Sequence, residues 1–591
     1  MRTLSALVAI VLGAAALVVG IGQKTFWAPD ETLTAAVPDS VTEAPLTVIE
    51  PAVDDVTDEP VEITIRSEGE FLVALGRSAD VDAWVADASV NRVTGVDTEE
   101  GVMTASHEGT EETVPNPQYS DLWVARDTVD GETVYTWTEP AEGDWSLLLA
   151  ADGEQAAPTD ISVEYPNTAT TPFALALIII GALLVLLGLL RLIWPGQGSS
   201  KTTADQEAAE DSHASNRGVA HRVAAGAAAL ALTLGGTTAA HATETETSEP
   251  SASTESDGGA DSSKSGDNSA SPATSSSEDG SENASESAPS DADGGEAAYP
   301  VLLESQLERV LSYVERAMTT ADEEQDASLL ESRLGGDALM LRQLNYRQVA
   351  EDVGVELEPA ISGGPIMSSA VTTSSDWPRT AIVVTQNDVE NPRVLTLTQE
   401  SPRAYYKLVS SVEMLPESEF PGIAADDPAV QTRTLDDGEG LKYSPEAAMD
   451  GLRRTLNNAS VDEADYFAES VFVNDLQAAQ TAAIEGAEDA QVNFQRWIVG
   501  DSLTALSTPD GGAIVTGAMT SAMLSKPREE GGTVSWNDEK YTALAGTDET
   551  SGSATFTYAE SVALYIPPEG SDDKVRVVAG DSVLKDIKIT E

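Results

Sequence analysis

Side chains that commonly perform catalysis are scarce in this chain. Cysteine is absent and histidine occurs four times, which excludes disulfides, thiol nucleophiles and thiolate metal sites. No histidine follows residue 241, so imidazole acid–base catalysis and imidazole zinc sites are excluded from the C-terminal half. The four are His107, His213, His221 and His241.

Two segments, 571–574 and 582–585, have the Ser-x-x-Lys spacing of some serine enzymes. Neither has a Lys-Thr-Gly partner motif, and neither begins a helix that would hold the serine. A Walker loop, a Gly-x-Ser-x-Gly turn and a His-Glu-x-x-His motif are also missing from the sequence. The sequence therefore predicts no catalytic, cofactor-binding or metal-binding residue.

Carboxylates are abundant, with 100 Asp and Glu residues. A glycoside hydrolase needs two carboxylates at a set separation, and here they are too numerous for spacing to identify a pair. Two acidic groups offer oxygen ligands for Ca²⁺ but do not follow the EF-hand ligand order, so we interpret them as solvated turn residues. They are Asp80 with Asp82, and Asp436 with Asp437 and Glu439.

A set of aromatic residues in the C-terminal half has two interpretations. The residues either line a pocket for an apolar or sugar ligand or pack in the core. Core packing is favoured, because large aromatic side chains dominate core energetics. They are Trp377, Tyr405, Tyr406, Trp497 and Trp536.

The charge of the chain disfavours partners that are themselves negative. The formal net charge is -68, which repels phosphate backbones and anionic lipid surfaces. We therefore expect no nucleic-acid partner and interpret the acidity as a solvated surface in an ion-rich setting. At 591 residues the chain also exceeds what one hydrophobic core supports, so several domains are expected.

Two apolar segments are predicted to cross a membrane. Residues 1–24 contain a long apolar run that is either a signal anchor or a cleaved signal peptide, and the weak small-x-small site favours the anchor. Residues 171–195 contain a second run, Phe173 to Trp194, with Arg191 near its end. The lysines and arginines that follow predict a cytoplasmic loop over 196–217.

A third apolar segment follows at 218–242. Its basic start, Ala-rich middle and small-x-small end have the order of a secretory signal, so it either anchors or exports the rest of the chain, with a cleavage site after Ala242. The alternative is a cytoplasmic Ala-rich helix, which would leave the C-terminal half inside the cell. Residues 243–297 are rich in Ser, Asp and Glu and are predicted to be a disordered tether, because they cannot bury enough apolar surface to fold.

The region between the first two apolar segments has a β pattern. Residues 25–60 are rich in Pro, Thr, Asp and Glu and are predicted to be an extended segment. From 61 to 170, short alternating runs separated by turns such as Asp130-Gly131 predict an antiparallel sandwich or barrel, and we expect an all-β sandwich ectodomain. Its predicted core is Phe71, Trp84, Trp123, Trp137 and Trp145.

Several short motifs lie within this ectodomain. They are Phe71–Gly76, Ala79–Trp84, Asp121–Ala125, Tyr135–Trp137 and Gly143–Trp145. Through these motifs, roughly residues 60–195 resemble a group of actinobacterial membrane proteins in which a β-rich ectodomain leads directly into a transmembrane helix. The resemblance implies a β-rich fold and an envelope location, and it implies no catalytic residue.

The C-terminal half is predicted to be α+β. Apolar residues at helical spacing predict a helix after residue 303 and a second over 327–352, kinked at Gly335-Gly336. Strands follow, and the order of helices and then strands recurs after a helix start at Ser444-Pro445. The predicted strands are 381–386, 394–399, 405–412, 513–524, 555–565 and 575–584, with helices continuing to Val492 before the second group.

This repeated order predicts two α+β units, at 298–440 and 441–591. We expect each unit to be a cone of the nuclear-transport-factor-2-like type, with one larger α+β domain as the alternative. A duplication of one unit would explain the shared order.

Together these features predict a multi-pass protein of the cell membrane with both main domains outside the cytoplasm. The favoured function is a non-enzymatic binding or scaffolding role in the cell envelope, with the lipid bilayer and envelope proteins or glycans as partners. The alternatives are a carboxylate-based hydrolase or transferase of envelope glycans and a carrier of an apolar ligand in the C-terminal domain. An enzyme requires ionisable groups that converge in one cleft. A carrier requires an apolar pocket, and a scaffold requires an exposed surface patch.

Overall fold

A computed structural model of the protein describes residues 2–193 and 299–591. Within these ranges the gaps are 39, 58–59, 168–170, 172, 374–375, 387–390, 422–429 and 458–465. The predictions for 196–217, 218–242 and 243–297 therefore lie outside the described residues.

The described residues form helices and strands in four sequence groups: an apolar helix, a β-rich region, a second apolar helix and an α+β region. The helices are α1 Arg2–Thr25, α2 Ser78–Val85, α3 Ala174–Ile193, α4 Glu304–Glu324, α5 Gly336–Ala350, α6 Pro445–Asn457, α7 Val471–Gly486 and α8 Glu539–Ala545. The N-terminal strands are β1 Thr32–Ala36, β2 Leu46–Ile49, β3 Glu62–Arg77, β4 Val90–Asp97, β5 Val102–Glu108, β6 Ala125–Thr136, β7 Trp145–Ala150 and β8 Asp160–Pro166. The C-terminal strands are β9 Ile366–Val371, β10 Arg379–Thr385, β11 Arg393–Gln399, β12 Lys407–Glu413, β13 Ala490–Ile498, β14 Thr504–Ser507, β15 Ala513–Pro527, β16 Val534–Ser535, β17 Glu549–Thr550, β18 Ser553–Ile566 and β19 Arg576–Thr590.

Helices α1 and α3 are each long and apolar enough to cross a membrane. They pack against each other in antiparallel directions through small residues that recur every seven positions. A Cβ atom added to Gly13 would stand 2.7 Å from the carbonyl oxygen of Gly181, and one added to Gly181 would stand equally close to that of Gly13. The backbones therefore touch, as small residues allow in membrane helix pairs. The three facing pairs are Ala6 with Gly188, Gly13 with Gly181, and Gly20 with Ala174.

The N-terminal strands form one sheet that closes on itself. The 16-residue strand β3 pairs with β6, while its first half also pairs with β8 and its second half with β7. The ring runs β3-β7-β2-β4-β5-β1-β8 and back to β3, with parallel pairs at β1/β5 and β2/β4. A barrel-like sheet thus replaces the predicted sandwich, because the register irregularity between Arg66 and Glu70 lets one long strand change partners. Residues 25–60, predicted to be an extended segment, contribute β1 and β2 to the ring.

The core of this β-rich region has two layers. Phe71, Trp137 and Trp145 lie in the larger cluster of apolar side chains. Trp84 and Trp123 lie in a second cluster, in which α2 and the loop before β6 cover β2, β3 and β7. All five side chains are at most 2% exposed, so the predicted aromatic core is confirmed.

The C-terminal region contains two antiparallel sheets that face each other. The first has the order β12-β11-β10-β9, and the second has the order β13-β15-β18-β19 with β14 also paired to β15. One face of the first sheet packs on α4, and one face of the second packs on α6 and α7. The opposite faces share one apolar core, so the sheets do not form separate cones. Its members include Ile382, Val384, Val394, Val412, Ile514, Ala563 and Val578.

Most helices and strands of this region follow the predictions. The apolar stripe of α4 is buried, α6 begins at Pro445 with the Ser444 hydroxyl accepting the Ala447 N–H, and each predicted strand is present within a few residues. Several details differ. The residues before Gly335 form only a short 3-10 turn, and the helices end at Gly486 because β13 begins at Ala490. The elements that were not predicted are β9, β14, β16, β17 and α8. The order of helices and then strands occurs twice, while duplication stays a prediction.

The helix contact makes a testable prediction about Gly181. Replacing it by leucine (Gly181→Leu) inserts a side chain where the backbone of α1 now lies, and overpacking of this kind costs about 1–3 kcal/mol. We expect a lower thermal unfolding midpoint for the full chain in detergent micelles. Leu187→Ala, at a side chain that is 58% exposed, is the matched control and should change the midpoint little. An unchanged midpoint for Gly181→Leu would contradict the close contact.

Candidate functional site

Two buried ion pairs join the N-terminal β region to the C-terminal α+β region. Arg379 Nη2 lies 2.6 Å from Asp80 Oδ1, and the two side chains are 2% and 4% exposed. Arg333 Nη1 lies 2.6 Å from Asp121 Oδ2, and the Asp121 side chain is fully buried. Buried ionised groups need such pairing, because an unpaired charge in the interior is strongly destabilising. We call this contact region the arginine interface.

Local structure positions each partner of these pairs. Asp80 lies in the first turn of α2, where a carboxylate is favoured by the helix dipole. Arg379 is the first residue of β10, and its guanidinium stacks 3.8 Å from the centre of the Trp377 ring. Asp121 lies in the loop before β6 and also accepts the backbone N–H of Tyr406 at 2.9 Å. The acid side of the interface is therefore held by α2 and one loop of the β region.

The Arg333 guanidinium is enclosed by aromatic rings. It lies 4.8 Å from the ring centre of Tyr313 and 4.4 Å from that of Tyr405. Tyr313 also accepts a hydrogen bond from Arg126 of the β region. Stacking of this kind suits arginine because its guanidinium is planar and weakly hydrated.

Other side chains of the C-terminal region bond to backbone carbonyls of the β region. Gln306 Nε2 donates to the Leu122 carbonyl at 2.9 Å, and Arg309 donates to that of Trp123. Arg403 donates to the carbonyls of Trp84 and Val85, at 2.8 and 2.9 Å, which are the last residues of α2. A cation at a helix C-terminus is favoured by the helix dipole. The interface is therefore built from directional polar contacts, which restrict how the two regions can shift relative to each other.

Burial changes the proton affinity of several groups in this interface. It raises the pKa of Asp80, while Arg379 and Arg77 oppose that rise. It also lowers the pKa of Arg309 and raises the pKa of the buried Tyr406 hydroxyl far above its usual range. Asp80, Arg379, Arg77 and Arg309 contact residues of the other region, whereas the Tyr406 hydroxyl has no hydrogen-bond partner among the described residues.

A cavity lies between the two C-terminal sheets. Its volume is about 900 Å³, which is within the range of small-molecule sites. Strands β10, β11 and β12 line one side, and β14, β15, β18 and β19 line the other, with the start of α5 at its edge. The cavity begins where the shared apolar core ends. We call it the inter-sheet cavity.

Asp337 is the most deeply buried acid of this cavity. It accepts a hydrogen bond from the Ser561 hydroxyl. Burial raises the pKa of Asp337, and the Ser561 hydrogen bond and the charge of Lys585 oppose that rise. The other charged groups in the lining are Glu400, Arg433, Asp436, Asp501 and Lys585.

Three of the five acidic residues considered as Ca²⁺ ligands pair with arginines. Asp80 pairs with Arg379, and Asp82 lies 2.7 Å from Arg92. Asp437 pairs with Arg433 and accepts the Glu439 N–H. Within the described residues, no group of three or more His, Asp or Glu side chains is arranged to hold a metal ion.

The two Ser-x-x-Lys segments are not organised as catalytic pairs. Ser571 accepts the N–H of Asp573 in a turn. Ser582 and Lys585 lie on β19, with Ser582 lining a smaller cavity of about 520 Å³ and Lys585 lining the inter-sheet cavity. The two side chains therefore line different cavities.

The aromatic residues considered for a ligand pocket are placed in three different ways. Tyr406 and Trp536 are buried in core clusters, in agreement with core packing. Trp377 and Tyr405 stack on interface arginines, and Trp497 is 50% exposed. None of the five lines the inter-sheet cavity. The ring of His107, in the β region, forms hydrogen bonds with the side chains of Asn91 and Ser89.

The sequence reasoning missed the arginine interface. The only signal available was that the C-terminal half places arginines beside tyrosine or tryptophan, as in Trp377-Pro378-Arg379 and Arg403-Ala404-Tyr405. Arg379 and Asp80 are 299 positions apart, and no local pattern connects residues at that separation.

Comparison with known proteins adds no functional assignment: no family model, no curated protein and no solved structure matches this chain. Its function is therefore argued from the geometry alone.

The interface predicts a large effect of removing one buried charge. Arg379→Met leaves Asp80 buried without its cation, which costs about 3–5 kcal/mol. Asp80→Leu combined with Arg379→Met removes both charges and should recover much of that loss. The measurement is the shift in the urea unfolding midpoint of the full chain in detergent.

Arg66→Met is the matched control for this prediction. Arg66 pairs with Glu132 at 3.2 Å, but the two side chains are 46% and 58% exposed, so its loss should cost under about 1 kcal/mol. Equal effects of Arg379→Met and Arg66→Met would show that the buried pair does not hold the interface.

Proposed function

We propose that this chain is a non-enzymatic binding or scaffolding protein of the cell envelope, anchored by the helix pair α1/α3. In this proposal the β region and the C-terminal α+β region act outside the cytoplasm as one body. The arginine interface is the observation that carries the proposal, because it requires both regions to be on the same side of any membrane.

The helix pair supports the membrane anchor. Outward-facing side chains of α1 and α3 form an exposed apolar surface, as at Leu7 with 57% and Leu186 with 55% exposure, which water would not favour. Phe26, Trp27 and Phe173 are exposed at the ends that lead to the β region. Aromatic residues are enriched at the boundary between membrane and water.

Charge at the helix ends supports the orientation. Because the helices are antiparallel, Arg2 and Arg191 belong to the same end of the pair, and Lys24 belongs to the opposite end. The lysines and arginines at 201, 217 and 222 follow α3 in sequence. By the rule that lysine and arginine collect on the inner side, the β region is outside.

This orientation has a consequence for the path of the chain. Between residues 193 and 299 the chain has to return to the side of the β region, since the C-terminal region packs there. The segment 218–242 is the apolar run that we predict to make this return. If the bond after Ala242 is cleaved, the C-terminal region stays bound through the arginine interface.

The lining of the inter-sheet cavity favours a binding role over the alternatives. Apolar side chains make up most of the lining, but an entirely apolar ligand would leave the hydroxyl groups of Thr380, Thr398 and Ser410 without hydrogen-bond partners. A carboxylate-based hydrolase would need a second carboxylate converging with Asp337. The other lining acids, Glu400, Asp436 and Asp501, are exposed residues of the rim.

Cysteine labelling tests the topology directly, because the natural chain contains no cysteine. Glu68→Cys in the β region and Glu569→Cys in the C-terminal region are exposed positions. In intact cells, a membrane-impermeant maleimide should label both variants. Ser200→Cys is the inside control and should react only after the cells are permeabilised. Labelling of Glu68→Cys with protection of Glu569→Cys in intact cells would overturn the proposal.

A further inference from the structure

The space between the two C-terminal sheets is filled in two different ways. One part holds the shared apolar core of Ile382, Val394 and Ile514. A hydrogen bond of 3.0 Å between the Thr396 and Thr516 hydroxyls joins the sheets. In the other part, the lining combines hydroxyl-bearing, small and apolar residues, and the sheets leave the inter-sheet cavity of about 900 Å³. The cavity opens to solvent at its rim, where Glu400, Asp436 and Asp501 are exposed, so a ligand can enter it.

Four hydroxyl groups of the cavity have no partner in the part of the protein that the structure describes. Thr380 and Thr398 are direct cross-strand neighbours on β10 and β11, and Ser410 lies on β12. Thr520 lines the opposite side from β15. Within the described residues, none of these four side chains makes a hydrogen bond, although Thr380 and Ser410 are only 5% and 7% exposed. Each hydroxyl can donate and accept, so together they suit a ligand that does the same.

Charges around the cavity disfavour an anion. Glu400, Asp436 and Asp501 are exposed at the rim. The nearby cations are engaged or balanced, because Arg433 pairs with Asp437 and Lys585 interacts with Asp337. A phosphate or carboxylate ligand would meet these acids on its way in, and the charge of Lys585 is offset by Asp337.

Apolar side chains complete the walls. Met340 and Met519 lie beside the hydroxyl groups, with the small residues Ala518 and Ala559 between the sheets. Methionine is flexible and adapts to irregular shapes, including the C–H surfaces of a sugar ring. An entirely apolar ligand would bury the hydroxyl groups without partners, and each buried polar group left unbonded costs about 1–3 kcal/mol.

We propose that the inter-sheet cavity binds a small, neutral, polyhydroxylated molecule of about disaccharide size. Thr380, Thr398, Ser410 and Thr520 exchange hydrogen bonds with its hydroxyl groups, and the methionines contact its C–H faces. This ligand class deepens the proposed binding role and rests on it. It fits the glycans of a cell envelope and excludes phosphorylated and purely apolar compounds.

The test is isothermal titration of the purified full chain in lipid nanodiscs with maltose, cellobiose and N,N′-diacetylchitobiose. Glucose 6-phosphate serves as the anionic probe and 1-hexanol as the apolar probe. We expect saturable binding of at least one of the neutral disaccharides and no saturable binding of the other two probes. Ala518→Trp fills the cavity and should abolish the binding.

A second variant separates loss of the ligand contacts from misfolding of Ala518→Trp. Thr380→Val with Thr398→Val keeps the volume and removes two hydrogen-bonding hydroxyls, so it should weaken binding about tenfold or more. Thr133→Val, on β6 of the other region, is the matched control and should bind as the natural chain does.

Three outcomes would overturn this assignment. The first is that none of the three disaccharides binds at ligand concentrations up to about 10 mM. The second is that the anionic or the apolar probe binds more tightly than the disaccharides. The third is that Thr380→Val with Thr398→Val leaves the affinity unchanged. None of them bears on the maleimide-labelling result, so failure of the ligand class is distinguishable from failure of the proposed envelope role.

Discussion

Contact between two acidic regions through buried arginines is the constraint on which the rest of this structure depends. The chain carries a formal charge of -68, so its two main regions would repel each other if they met through their average surfaces. They meet instead where Arg333 and Arg379 reach buried carboxylates and where Arg403 reaches the end of α2. Buried ion pairs add little net stability against apolar packing, but they tolerate few alternative arrangements. The interface therefore fixes one orientation.

That orientation links the apolar helices α1 and α3 to the C-terminal region. The β ring is connected in sequence to α1 at one end and to α3 at the other, and the helices touch along the seam from Ala6 to Gly20. Under the proposed function, a region bound to the ring is held near the membrane without needing its own span. We infer that the inter-sheet cavity is presented at a fixed position relative to the bilayer, which suits a protein that binds a component of the envelope.

Local patterns in the sequence predicted local structure well. The apolar stripe of α4, the Ser-Pro start of α6 and the aromatic core of the β region were all predicted, because each depends on spacing or residue type over a few turns. Closure of the ring through β3 was not predicted, because a sandwich and a barrel have the same alternation of period two in their strands. The inter-sheet cavity was also missed. Threonines such as Thr380 and Thr398 read as ordinary strand residues until the facing sheet is known.

The central claim is that the two regions stay together through the arginine interface, independently of the segment that joins them in sequence. A protease recognition site inserted between Ser262 and Ser263 allows the chain to be cut in isolated membranes. We predict that the C-terminal fragment then remains on the membranes, and that Arg333→Met with Arg379→Met releases it after the same cut. Release of the fragment from the natural sequence on cleavage alone would contradict the account.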